Sequence, residues 1–159
     1  LYLSTLAVIF PLTRYLLPLY IKNNQGEHVH RSALSWLLTI LPFATIGVIL
    51  ISLTSKVIIL ALFNSNIELD TYQKSMFVSV LPILTSVLIG YNLKIVKNRE
   101  REIFNILLTA SPVMFIGVTA AMLVQETSVL YISVFLFELI IAYQYTKDFM
   151  SDMRTQKTS

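Results

Sequence analysis

The sequence predicts an all-α fold, a polytopic bundle of transmembrane helices. Two features of its composition point there. The 159 residues are 55% hydrophobic and only 13% charged, about half the charge of an ordinary soluble domain. The charges are also bunched, which leaves long runs with nothing polar to cover a water-facing surface. A third observation orders the chain: Lys94-Ile95-Val96-Lys97-Asn98-Arg99-Glu100-Arg101-Glu102 is the densest charge cluster and separates two long uncharged runs.

Segment A, residues 1–20, is apolar with Arg14 as its sole charge and is interrupted by Pro11 and Pro18. It reads as the end of a transmembrane helix. The chain opens inside this run on Leu1, without the charged lead of a signal peptide. The expectation is the C-terminal part of a longer protein. A short polar loop, Lys22 to Arg31, follows. Its His28-x-His30 pair has only Glu27 near it to complete a ligand set, so solvated histidines and no metal site are expected.

Segment B, residues 32–55, carries no charge and is long enough to cross a core of about 30 Å at about 1.5 Å per residue. After Lys56 comes Val57 to Phe63, too short to span alone. This stretch, 56–63, either extends B or lies in the interface. Segment C covers 75–93, D covers 103–124, and a tight Gln125-Glu126-Thr127 link leads to E, 128–146. Residues 147–159 are expected to form a loosely ordered cytoplasmic tail.

Alternating the loops across a membrane puts nine Lys and Arg residues on one side and two, Lys56 and Lys74, on the other. The positive-inside tendency places the nine-charge side, and the C-terminus with it, in the cytoplasm. The basic residues are accounted for by topology, so no nucleic-acid partner is expected. The absence of Cys excludes thiolate chemistry and disulfides.

Three spans place Ser or Thr three residues before Pro: Thr39 with Pro42, Ser79 with Pro82, Thr109 with Pro112. Proline removes a helix hydrogen bond, and a hydroxyl about one turn earlier can satisfy the freed carbonyl. Pro42, Pro82 and Pro112 are therefore candidate kinks. Small residues form seams: Ser75, Ser79, Pro82, Ser86 and Gly90 in C, Gly117 and Ala121 in D. Such seams let helices approach closely.

Two ionisable residues fall inside apolar segments. Glu138 lies near the middle of E, where a charge costs roughly 2.5–3.5 kcal/mol on insertion scales. Tyr131, Phe135, Glu138, Ala142 and Tyr145 share its helix face. This makes Glu138 a candidate proton-binding group, with Tyr131 and Tyr145 as candidate pathway residues. A protonated Glu bonded to a neighbouring helix is the alternative. Arg14 either snorkels to the surface or pairs with a phosphate through its planar fork. No catalytic motif and no phosphate-binding glycine loop occurs among the four glycines, so no catalytic residue and no cofactor is expected.

Phe10-Pro11-Leu12-Thr13-Arg14, the stretch Lys56 to Phe63, Val80-Leu81-Pro82 and Lys97-Asn98-Arg99-Glu100-Arg101 together resemble the C-terminal part of a bacterial polysaccharide or O-antigen repeat-unit flippase. This is the Wzx-like branch of the multidrug/oligosaccharidyl-lipid/polysaccharide exporter superfamily. Asn64 departs from the pattern, standing where the family usually has Gly after Leu-Phe. The resemblance implies a partial second lobe of a two-lobe fold of roughly twelve to fourteen helices with alternating access. It implies no enzyme activity. Its partners would be the lipid bilayer, an undecaprenyl-pyrophosphate-linked oligosaccharide, the missing N-terminal lobe and polysaccharide-assembly proteins. A drug or organic-cation exporter of the same superfamily is the main alternative. A membrane-embedded polysaccharide-synthesis enzyme and a non-transporting scaffold are the others; the short outer loops, 56–74 and 125–127, disfavour the enzyme.

Overall fold

The computed structural model describes residues 27–64, 68–71, 74 and 76–157, with isolated positions 11, 15, 18 and 22. Among the described residues there are four long helices and no strand. Helix α1 is Glu27–Phe63. Helix α2 is one rod in four pieces: a 3-10 turn (Met76–Ser79), an α-helical stretch (Val80–Ser86), a π turn (Val87–Tyr91) and a last α turn (Asn92–Val96). Helix α3 is Glu100–Val124 and helix α4 is Thr127–Lys157. All four are long and apolar enough to cross a membrane, as a multi-pass membrane protein requires.

Segments B, C, D and E fall on these helices, but the helices are longer, while segment A lies outside the described residues apart from isolated positions. Val57 to Phe63 continues α1 without a break, and the expected polar loop is already helical from Glu27. The C-terminal segment expected to be loosely ordered continues α4 to Lys157. The reason is visible in its stripe: Tyr145 and Phe149 are buried, and Met153 packs on the apolar cluster that holds Phe149. Asp148 and Asp152, one turn apart, form ion pairs to α2 and the turn after it.

α2 is the central helix. Of its apolar window 61% is buried, against 6% for α1. Leu84, Leu88, Ile89 and Leu93 form a core with Ala33 of α1 and Phe149 of α4. A second core joins Ile106 and Ala110 of α3 to Ile141 and Tyr145 of α4. In lipid these contacts gain little from hydrophobic transfer, so close van der Waals fit holds the helices together. The small-residue seams supply that fit. Ser79, Pro82, Ser86 and Gly90 are all buried, while Ser75 lies outside the described residues. Gly117 is buried against Ser133, where an added Cβ would sit 2.0 Å from its hydroxyl. Large apolar side chains such as Leu38, Phe43, Leu53, Phe115, Met122 and Leu123 face outward. That much exposed apolar surface exceeds what a soluble monomer carries.

The three prolines are absorbed differently from expectation. Pro42 and Pro112 sit inside unbroken helices. The Thr39 and Thr109 hydroxyls donate to Ser35 and Asn105, not to the carbonyls the prolines free. The carbonyl freed by Pro112 is that of Leu108, and Ser111 donates to it at 2.9 Å. The Ser79 hydroxyl is buried without a hydrogen-bond partner.

Left-handed residues end the segments: Asn64 (φ 48), Asn98 (φ 56) and Gln125 (φ 59). Asn tolerates this conformation well, which accounts physically for Asn64 closing α1. Gln125 has no such advantage in the two-residue link between α3 and α4. Gln125→Gly is therefore expected to raise resistance to SDS unfolding in bicelles by about 1 kcal/mol. A loss of stability would mean that the Gln side chain itself holds the link. At the same end of the bundle Lys56 pairs with Glu68. The hydrogen bond and charge of Lys56 hold the Glu68 carboxyl below the usual range. Both groups are exposed, so the pair adds little stability.

Candidate functional site

Two groups of polar residues are held by the helices. The first is Glu138, on the twelfth residue of α4 and flanked by Phe137 and Leu139. It is only 7% exposed, so α4 turns it inward, and it is partnered there. On the same face Ala142 and Tyr145 are buried and Tyr131 and Phe135 are half-buried. The structure does not bring the three candidate side chains into one site. Heptad spacing puts Tyr131 and Tyr145 about 10 Å along the axis from Glu138, on either side. Tyr145 is a packing residue, set against Gly90 of α2 and within the α3–α4 core. Arg14 lies outside the described residues.

The second group is a charged cluster at the end of the bundle where α2 turns into α3. Three cations and three carboxylates meet there. Lys94, with a side chain 8% exposed, donates to Glu102 at 2.5 Å and to Asp148 at 2.8 Å. Lys97 donates to Asp152 at 2.8 Å, and Arg99 reaches the same carboxylate at 3.4 Å and Glu102 at 3.8 Å. The Lys94 ammonium also lies 6.0 Å above the Tyr145 ring, at the outer edge of cation–π range.

The cluster is positioned by backbone features. The π turn widens α2 at Val87–Tyr91, and such turns recur at functional sites. It lets Leu88, Ile89 and Gly90 all turn inward, and the next turn buries Asn92, Leu93 and Lys94. Asn92 is fully buried, and neither atom of its amide has a hydrogen-bond partner. Left-handed Asn98 then reverses the chain, and the Arg99 amide closes the turn on the Lys94 carbonyl at 2.8 Å.

His30 joins this cluster, contrary to the expectation of a solvated loop histidine. It sits in the first turns of α1, is 2% exposed, and its Nε2 lies 2.8 Å from the Lys97 Nζ. Its ring packs against Phe149 at 5.3 Å between centroids. The correction has a simple cause: α1 starts before His30, so the ring is carried inward on a helix face beside Ala33. His30, Lys94, Lys97, Asp148 and Asp152 line a recess of about 20 Å³ with Tyr145. The recess is large enough for roughly one water-sized molecule, not for a sugar or a drug.

The contacts among His30, Lys97 and Asp152 bring the first polar segment, the basic loop and the C-terminal helix to one end of the bundle. The ionic cluster itself was legible only in part. Lys94 and Lys97 at one spacing and Asp148 and Asp152 at another mark helix faces, but nothing in one sequence pairs those faces. No protein-family model, characterised protein or solved structure matches the chain.

Proposed function

We propose that this chain is part of the second lobe of a flippase for undecaprenyl-pyrophosphate-linked oligosaccharide repeat units. It would move them across the bacterial cytoplasmic membrane for O-antigen or capsule synthesis. The observation that carries a transport role is Glu138, an ionisable side chain buried in the middle of an otherwise apolar stretch of helix. Ionisable groups at that depth mark ion and substrate pathways. The choice of substrate is supported by the motif resemblance set out above. The positive-inside count supports a cytoplasmic C-terminus, and it agrees with the meeting of the basic segments at one end.

A second reading, export of an organic cation through the same fold, is favoured by the same residue: a buried carboxylate suits a cation. One experiment separates them. In the full-length protein, Glu138→Gln is expected to lower translocation of the lipid-linked oligosaccharide roughly tenfold, equivalent to about 1.4 kcal/mol, with membrane insertion unchanged. Arg14→Ala is expected to act in the same direction. Full activity in both variants would leave the pathway assignment without support. Extrusion of a fluorescent cation by the wild type, with no oligosaccharide movement, would favour the second reading.

A further inference from the structure

We propose that His30 is the proton-sensing part of a latch that fastens the start of α1 to the charged cluster, closed when the ring is neutral and released when it is protonated. The geometry leaves one protonation state compatible with the closed form. An ammonium has N–H groups and no lone pair. The 2.8 Å contact from Lys97 Nζ to His30 Nε2 therefore needs a lone pair on Nε2, and the ring proton sits on Nδ1.

The surroundings give a second proton no place to go. From the turn after α2, Lys97 and Arg99 face the ring's side of the cluster. From α4 comes Asp152, which already accepts from both of them. Lys94 is held between Glu102 and Asp148, and Tyr145 is the other titratable group at the recess. The neighbour on the ring's own helix is Arg31, an exposed cation. Lys94, Lys97 and Arg99 are balanced by Glu102, Asp148 and Asp152. A proton on His30 adds a fourth cation at hydrogen-bond distance from the second. Nothing is gained on the other ring nitrogen, since Nδ1 is buried without a partner.

The sign follows. The contact requires neutral His30, so it is present above the ring's titration and lost as pH falls through it. One linked proton makes the released population grow roughly tenfold per pH unit below that point. The latch holds whatever the bundle carries, so it stands apart from the transport reading.

The chain has no native Cys, which makes site-directed spin labelling direct. Labels on Ser35→Cys of α1 and Ser151→Cys of α4, both exposed positions, would be placed in the chain in nanodiscs, and the distance between them measured from pH 8 to pH 5. The expected result is a longer, broader distance at low pH in the wild type and in His28→Gln, which removes the other histidine. His30→Gln, whose side-chain oxygen can still accept from Lys97, should stay closed throughout. Hydrogen exchange on the unlabelled chain reads the same event as faster exchange in the first turns of α1. A wild-type distance and exchange rate that do not change with pH would overturn the proposal. So would an undiminished response in His30→Gln.

Discussion

Gly90→Ala is expected to reduce resistance to unfolding by about 1–3 kcal/mol, measured by SDS titration in bicelles. A Cβ at this position would lie 2.1 Å from Tyr145 Cγ and 2.6 Å from its Cβ. Those atoms are at the root of the side chain, so rotating the ring tip does not clear them. A change of rotamer leaves the Tyr145 Cβ where it is, so α2 and α4 must move apart at the π turn. The cost must also outweigh the roughly 1 kcal/mol that Ala gains over Gly in a helix. Gly47→Ala isolates that gain, because nothing lies within 4 Å of its added Cβ. The two variants should change stability in opposite directions. Adding Tyr145→Ala to Gly90→Ala should recover part of the loss, and the coupling can be read from the double-mutant cycle. Equal stability for Gly90→Ala and Gly47→Ala would mean that α2 and α4 are not in this contact.

The second large effect concerns Lys94, and it depends on which partner is removed. The Lys94 side chain is 8% exposed, whereas those of Glu102 and Asp148 are 45% and 48% exposed. Neutralising both carboxylates, Glu102→Gln with Asp148→Asn, leaves a buried ammonium without a counter-charge, and about 3–5 kcal/mol is expected to be lost. Lys94→Met removes the buried charge instead and leaves two carboxylates that water can reach. The methionine keeps most of the volume, so about 1 kcal/mol or less is expected. Each carboxylate variant alone leaves the ammonium one partner and should cost less than half of the double. If Lys94→Met proved as damaging as the double variant, the cluster would be held by the carboxylates' own environment rather than by the lysine.

The helical bundle was legible because uncharged runs long enough to cross a bilayer admit few other structures. The helix ends were not, because hydropathy marks where the lipid stops and backbone hydrogen bonding continues past that point. Lys56 and Lys147 were read as boundaries, yet α1 and α4 run through both. The α4 extension had a signal in the spacing of Tyr145, Asp148, Phe149 and Asp152, the stripe of a helix continuing beyond the apolar run. The prolines show another limit. Pairing Thr109 with Pro112 followed a general rule, but the hydroxyl that reaches the freed Leu108 carbonyl belongs to Ser111, and that depends on a rotamer. Glu138 was legible as an inward residue because a lipid-facing carboxylate costs too much. Its separation from Tyr131 and Tyr145 followed from the heptad, while the role of Tyr145 against Gly90 required the opposing helix. His30 was misplaced because the polar sequence around it, Lys22 to Arg31, resembles a loop, and only the start of α1 decides otherwise.

The length of α1 has a mechanical consequence. Its 37 residues make a rod of about 55 Å, and its packing on the core cluster runs only from Ala33 to Ala44. Beyond Ala44 its hold is lighter: it touches the first turn of α2 and Ser55 is buried, but Ile46, Ile49, Leu50, Leu53 and Val57 are exposed, and Lys56 bonds to Glu68 of the following loop. Such a rod is a lever with its fulcrum near the charged end. A rotation of about 10° there moves the far tip by roughly 5 Å over the ~28 Å beyond Ala44. A sub-ångström change at the fulcrum is thereby delivered to the opposite face of the membrane as a displacement the width of a side chain.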